Sequence, residues 1–563
     1  MSKLDEYKKG TAPIPQKMLK WNFYGEGLES LKCEEVDVPE INANQLLVRQ
    51  DAVGLCFSDT KVIALGQNHP RMAGRDLKTD PVTLGHEVSC TVVKVGENLK
   101  NRFKVGERFI IQADVFYKGV SMAYGYAISG GLAEYSVIPE EMIDGDAGCY
   151  LLPLWEGAGY VETALVEPWA CVVSAYNQAH RSSIKAGGNL LVILGKQGDI
   201  SDWSGAFEKG KEPGKVVCIG GECKLPDALA ATLPSDWQEF KKVHTGDHGF
   251  DDIAVIGEVA PEIAEAASSV LANHSVMDFV GDHPFPRKLT LDIGRIHYNW
   301  HNYVGTNGNR VAEGYAEART ADLIEGGISW FIGAGGPMGQ MHVQRAVLHP
   351  RPPKCILATD IDAERLQSVV DRFATAAKSR GVELIAINPN DFTSDAFNAK
   401  LLDITKGKGF NDIVSLVPVP ALIEHAIGFL ADEGWFNIFA GVARGTIAQL
   451  DVNAIKNRKV RYLGSSGSAL TDMQQTLDKV HTGELSTNAS LAAIAGMRAA
   501  REGIAGVKNG RFPGKSLVFP LIHDLPLLSL HDLKEKYPTV YAKLQDGKFW
   551  TKEAEEELLE LLL

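Results

Sequence analysis

Cys56 and the pair His86-Glu87, thirty residues further on, put a thiolate, an imidazole and a carboxylate in one short reach of chain. These donor types can hold a zinc ion with one position left open for water or substrate. Glu167, in Val166-Glu167-Pro168, is a fourth candidate. The spacing is too long for a finger or knuckle, so a fold must gather the four. Catalytic zinc is usually built that way and structural zinc seldom is. A second stretch suits a dinucleotide. Residues 328–332 read as a buried strand ending in Gly333-Ala334-Gly335-Gly336-Pro337-Met338-Gly339, with a helix over 340–348. The next strand, 355–360, ends in Asp360, 21 residues after Gly339. Small residues let backbone approach a pyrophosphate at a helix N-terminus, and the acid takes ribose hydroxyls. An acid there favours NAD over NADP, whose 2′-phosphate would meet a negative charge.

The elements that must position these groups are legible around them. Residues 45–53 read as a strand leading into Gly54 and Cys56, with further strands at 88–95 and 108–111. Gly130-Gly131 reads as a turn feeding another strand. Residues 161–180 read as helical, with Pro168 in the first turn and Glu167 at or just before the helix start. Further on, 189–195, 215–220 and 249–256 read as buried strands, but Lys196-Gln197-Gly198-Asp199-Ile200 carries no glycine-rich loop. Residues 552–563 predict a Glu/Leu-rich helix.

The later chain repeats itself. Gly249-Phe250-Asp251-Asp252-Ile253 matches Gly409-Phe410-Asn411-Asp412-Ile413 at an offset of 160, and Phe279-x-Gly281 matches Phe439-x-Gly441 at the same offset. Leu291-Asp292-Ile293 matches Leu450-Asp451-Val452 at 159, as Gly305-Thr306-Asn307-Gly308 matches Gly464-Ser465-Ser466-Gly467. Recurrence at a fixed spacing predicts a repeated structural unit.

Totals bound the class. A chain of 563 residues with a net charge of −14 argues against nucleic-acid or anionic-membrane partners, which want clustered Lys and Arg. No apolar run reaches the roughly 18 residues of a bilayer span, and the charged start lacks a signal-peptide core. Eight scattered cysteines read as reduced thiols in a cytoplasmic protein.

Gly-x-Cys-x-Ser-Asp at 54–59, Gly85-His86-Glu87, Val105-Gly106-Glu107-Arg108, Gly-Gly-x-Ala-Glu-Tyr at 130–135 and Val166-Glu167-Pro168 together resemble the zinc-dependent medium-chain dehydrogenase/reductase superfamily, in its sorbitol-dehydrogenase-like branch. Ser58-x-x-Lys61 with Gly66 and His69, Gly-Phe-Asp-Asp at 249–252 and His297-Tyr298 with Tyr303-Val304-Gly305-Thr306 look like its L-sorbose-1-phosphate reductase group. The resemblance implies an α/β fold: a GroES-like β-rich catalytic domain plus two tandem Rossmann-like doubly wound parallel-sheet units. The expected division is 1–184 for the catalytic domain, 185–320 for a degenerate unit, 321–470 for the NAD-binding unit and 471–563 for a return to the catalytic domain with a helical tail.

It also implies one catalytic zinc on Cys56, His86, Glu87 and Glu167, with Glu87 either a ligand or just behind one. No cysteine quartet lies between Cys90 and Cys149 for a second, structural zinc. Ser58 would pass the alcohol proton, and Lys61 and Arg71 would hold a phosphate-bearing substrate. NAD would rest on Gly333, Gly335, Gly336, Pro337, Met338, Gly339, Asp360, Ser465 and Ser466. The expected reaction moves a hydride between NAD and a secondary alcohol of a polyol, sugar or sugar phosphate. Two alternatives stay open: transient sugar oxidation by tightly held NAD in aid of elimination or epimerisation, and a non-enzymatic redox-sensing or scaffold role. A homo-oligomer paired through Rossmann sheets also stays open, unless the degenerate unit covers that surface in cis.

Overall fold

The computed structural model describes residues 3–72, 74–196, 202–220 and 249–563. The Gly198 stretch, expected to be a degenerate counterpart of the glycine loop, lies outside them. The chain forms two compact units: Met1–Val173, Gly336–Met341 and Gly467–Leu563 in one, Ser174–Gly335 and His342–Ser466 in the other. No helix among the described residues is long and apolar enough to cross a membrane.

The first unit is built on an eight-stranded sheet whose middle is Leu46–Leu55, buried at all ten positions. It pairs antiparallel with Glu87–Val95 on one side and with Tyr135–Ile138 and Lys515–Phe519 on the other. The polar trio in this strand is paired internally: Arg49 with Asp51 at 2.6 Å, and Gln50 Nε2 donating to Tyr124 Oη at 2.9 Å. Register does the positioning. Gly54 pairs with Glu87 and Leu517 with Gly54. The strand therefore delivers Cys56 beside His86-Glu87, and the C-terminal segment returns to lie against the same end. The helical stretch expected at 161–180 is broken into Tyr160–Ala164 and Val166–Ala175. The last helix, Lys552–Leu562, packs on this unit through Glu555, whose oxygens accept from Tyr160 N and Val161 N at 2.7 Å each.

The second unit holds two parallel sheets. One orders its strands Lys215–Ile219, Asn189–Leu194, Phe250–Ile256, Leu271–Val280, Asn302–Thr306. The other orders them Glu383–Ile387, Cys355–Thr359, Ile328–Ile332, Phe410–Ser415, Leu430–Ile438, Arg461–Gly464. The strands read as apolar runs because both faces of a parallel sheet are covered. The recurring Gly-Phe-Asp/Asn-Asp motif does the same work in both sheets. Asp251 accepts from Asn189 N at 2.8 Å and Asn411 from Ile328 N at 2.9 Å, so each first acid or amide pins the neighbouring strand's start. Asp252 accepts from Arg181 at 2.6 Å, and Asp412 from Arg319. Each acid is thus tied to an arginine upstream of its own sheet.

Two expectations are corrected. The match of Phe279 to Phe439 at an offset of 160 fails in three dimensions: Asp252 pairs with Val276 and Asp412 with Trp435, so these strands correspond at 159. The one-residue step falls earlier, before the helices that begin at Pro261 and Pro420. Both prolines fix a helix start, and that start sets the register of everything after it. The cysteines are not all reduced either. Cys33, Cys56, Cys90, Cys149, Cys171 and Cys355 are free, but Cys218 is disulfide-bonded.

Candidate active site

Cys56 stands at the N-cap of the helix Phe57–Leu65, where the buried strand gives way. Asp59, three residues on, accepts from Cys56 N at 2.9 Å and fixes that turn. The preceding glycines fit their places. Gly85 has φ +94°, a region that L side chains rarely enter, and a Cβ at Gly54 would land on the Glu87 carboxylate.

Cys56, His86 and Glu87 form the one group among the described residues whose ligand atoms could share a metal ion, all lying within 4.8 Å of one another. His86 and Glu87 are buried, and Cys56 is half-buried. Glu87 Oε2 is buried without a hydrogen-bond partner. Buried polar atoms are normally satisfied, so an unsatisfied carboxylate oxygen beside a thiol and an imidazole fits a divalent cation such as zinc. Glu167 stands outside this trio. It is part of the same electrostatic group: burial pushes its carboxyl up to about 7, with His86 and Lys515 opposing and Glu87 and Asp114 reinforcing the rise.

The surrounding groups set the charge. Burial acts to lower the His86 pKa, yet Tyr126, Asp59 and Cys56 together hold it well above its ordinary value. Asp59 Oδ1 faces His86 Nδ1 at 3.4 Å, the arrangement of a carboxylate that orients a ligating imidazole. Lys515 Nζ pairs with Glu87 Oε1 at 2.5 Å and donates to Leu55 O at 3.0 Å. Although burial opposes its charge, Glu87 and Cys56 raise its pKa. Cys171 follows Glu167 by one helical turn. Its thiol is driven well above its usual range by burial, then by Glu167, Asp114, Cys56 and Glu87.

The two expected substrate residues have different neighbours, and Lys61 Nζ lies 6.0 Å from the Phe57 ring centre. Arg71 pairs with Asp114 at 2.6 Å and lies 5.0 Å from the Tyr126 ring centre. The His69 ring stacks on the opposite partner of that contact, 5.6 Å from Tyr126, and His86 is also 5.6 Å from it. Burial, then Arg71 and Lys61, lower the His69 pKa. Ser58 is half-buried in the first turn of the Phe57–Leu65 helix, beside Phe57, which is 56% exposed.

The glycine loop has the shape expected of it. Gly333 takes φ +79°, and the N–H groups of Gly333 and Ala334 donate to Thr359 O at 2.8 and 3.0 Å. Gly335 N donates to Asp360 Oδ2 at 2.8 Å, and a Cβ there would lie 2.6 Å from Arg365 Cβ. Pro337, Met338 and Gly339 open the helix Pro337–Leu348, directly after Gly336. Asp360 is half-buried, and its second oxygen accepts from Asp362 N at 3.0 Å. Ser465 and Ser466 follow the strand Arg461–Gly464.

Sequence reasoning named the metal trio and missed the groups that hold it. Asp59 sits inside the quoted motif at a capping distance from Cys56, a readable signal. Lys515 and Asp114 carry no such mark.

The alcohol dehydrogenase GroES-like domain family matches residues 42–144. The chain is 33% identical to the uncharacterised protein YggP of Escherichia coli over 314 residues, which cover 50% of this chain and 72% of that protein. It is 28% identical to the L-sorbose 1-phosphate reductase of Klebsiella pneumoniae over 317 residues, 51% of this chain and 74% of that enzyme. It is 24% identical to the mannitol-1-phosphate 5-dehydrogenase of Aliivibrio fischeri over 547 residues, 95% of this chain and 96% of that enzyme. With the Cys56–His86–Glu87 cluster on a GroES-like sheet and a glycine loop heading a parallel one, the chain belongs to the zinc-dependent medium-chain dehydrogenase/reductase superfamily, in its sorbitol-dehydrogenase-like branch.

Proposed function

We propose that this zinc- and NAD-dependent alcohol/polyol dehydrogenase acts on a phosphorylated polyol or its keto-sugar phosphate. The observation that carries the dehydrogenase reading is the cluster of Cys56, His86 and Glu87, with Glu87 Oε2 buried and unsatisfied. Arg71 against Tyr126, with His69 stacked on the same ring, supports the phosphorylated substrate class. A phosphate monoester carries close to two charges and wants such donors. The two sugar-phosphate enzymes above support the same class.

Cys56 and His86 would hold the zinc, with Glu87 or Glu167 as the carboxylate. A bound zinc supplies Lewis acidity, lowering the pKa of a substrate hydroxyl. Asp59 keeps the His86 ring in place. Ser58 takes the hydroxyl proton and passes it to solvent. As the carbonyl forms, the carbinol C–H would give up its hydrogen with the bonding electron pair, for which a bound NAD⁺ would supply the acceptor. The loop at 333–339 and Asp360 would seat the dinucleotide at the start of the helix Pro337–Leu348.

The test is direct. Purified enzyme is assayed for zinc and for NADH formation with a panel of hexitols and their 1-phosphates. Greater kcat/KM for phosphates, lost in Arg71→Ala with zinc retained, is the expected result. Equal use of free and phosphorylated polyols refutes the substrate class. Turnover without NADH release would favour the elimination or epimerisation reading. Full activity in a zinc-free Cys56→Ala variant overturns the site itself.

A further inference from the structure

The contact between the two parallel sheets of the second unit is reciprocal. The short strands Leu289–Asp292 and Ile447–Leu450 pair antiparallel, with Leu289 opposite Leu450, Thr290 opposite Gln449 and Leu291 opposite Ala448. Advance each residue of the first strand by 159 and the pairs map onto one another. Leu289 becomes 448 and Leu291 becomes 450, so their two pairs exchange, while Thr290 becomes 449 and its pair maps onto itself. A local two-fold axis therefore passes through the Thr290–Gln449 pair.

The flanking elements obey the same operation. The helix Ile293–Asn299 packs on the strand Arg461–Gly464, and its counterpart Val452–Arg458 packs on Asn302–Thr306. Gly305 and Gly464, which correspond, admit these helices. A Cβ at Gly305 would lie 2.9 Å from Lys456 Cγ, and one at Gly464 would lie 2.7 Å from His297 Cα. His297 and Lys456 correspond too, and each crosses to the other sheet. His297 Nδ1 meets Ile438 O at 2.9 Å, while Lys456 Nζ donates to Gly281 O and His283 O at 3.0 and 2.6 Å. Asn302 and Arg461, again counterparts, face each other at 3.4 Å. Both helices start from an aspartate cap, Asp292 and Asp451. One apolar cluster runs through both sheets, taking in Phe279, Leu289 and Ile296 with Leu450, Ile455 and Tyr462.

In an isologous contact, residue i of one copy meets j of the other while j meets i. That is the pattern here, within one chain. We propose that the sheet at 189–306 serves the sheet at 328–464 as an internal partner, making in cis the self-complementary contact that otherwise takes two copies. Its second role is support. The helix Ile293–Asn299 backs the strand that ends at Ser465 and Ser466, so the sheet expected to have lost nucleotide binding holds up one side of the cofactor loop. The facing strands Asn302–Thr306 and Arg461–Gly464 are then closed to a second copy of the chain.

The pair on the axis tests this. Thr290 and Gln449 stand directly opposite and are at least partly exposed, and opposed cross-strand residues lie close to disulfide range. Thr290→Cys/Gln449→Cys is oxidised at low and high protein concentration and run without reductant. The expected product is an internal disulfide: no new free thiol over wild type, single-chain mobility at every concentration, and no covalent dimer when the two single variants are mixed. Covalent dimers from the double variant or from the mixture, or two thiols that stay reactive, overturn the proposal. As a check on unaltered protein, amide exchange over Asn302–Thr306 and Arg461–Gly464 should be protected independently of concentration. Protection that disappears on dilution shows pairing between chains and also overturns it.

Discussion

Lys515 Nζ lies 2.5 Å from Glu87 Oε1, joining residues 428 positions apart in a pair with side chains only 5% and 0% exposed. The ammonium neutralises the carboxylate nearest the metal ligands, and the pairing of Lys515–Phe519 against the end of Leu46–Leu55 makes that possible.

Lys515→Met should cost about 3–5 kcal/mol in zinc-free protein, because it leaves a buried carboxylate without its partner. Zinc should recover part of the loss, since a cation beside Glu87 replaces the missing charge. Denaturant unfolding with and without zinc measures both quantities. A loss that zinc leaves unchanged would show that Glu87 does not sense the metal.

Asp59→Asn keeps an acceptor for Cys56 N but removes the charge facing His86. Zinc affinity should fall about 10–100-fold, the usual effect of losing the carboxylate behind a ligating imidazole. Competition with a chelator reads this without any activity assay. Wild-type affinity would refute a role for Asp59 in placing the imidazole.

The metal trio was legible because its donors are carried by short local motifs whose glycines have no substitute: one would collide with Glu87 and another holds a positive φ. The strands near 189–195, 215–220, 249–256, 328–332 and 355–360 were legible as apolar runs bounded by glycine or an acid. Lys515 was not legible, since an ion pair formed by sheet register leaves no trace in spacing, and neither was Asp114, whose pair with Arg71 joins two segments outside the sheet. Glu167 was expected to ligate from its place before Pro168; it lies outside the group whose ligand atoms are within 4.8 Å of one another but shares the electrostatics of His86 and Glu87. The sequence motif reports the helix start and not the distance across the site. The arginines that clamp Asp252 and Asp412 were missed for the same reason, although the repeated acids they bind stood out.

Asp360→Ala should weaken NADH binding about tenfold or more. The side chain holds Gly335 N and Asp362 N at once, and hydrogen bonds to a charged group contribute about 1.5–3 kcal/mol each. Fluorescence titration of bound NADH gives the constant. Zinc content should be untouched, so a variant that loses zinc as well would point to general unfolding and not to the loop.

Glu555 gives a pH dependence that is separate from the metal. Its carboxylate is buried against the start of the Tyr160–Ala164 helix, and burial pushes its pKa up to about 7 despite the N–H bonds from Tyr160 and Val161. The folded chain therefore binds this proton more tightly than the unfolded chain, where a glutamate titrates near 4.3. The group's contribution to stability is complete below about pH 4.3 and is lost as pH rises through about 7. Glu555→Gln cannot ionise. Its unfolding free energy should gain on the wild type by roughly 3 kcal/mol as pH goes from about 4 to about 8. The neutral amide also loses one of the two acceptors, so the variant starts less stable at low pH and the two curves converge on the alkaline side. Parallel curves across that range would mean that Glu555 stays ionised throughout, held by the helix N–H groups alone.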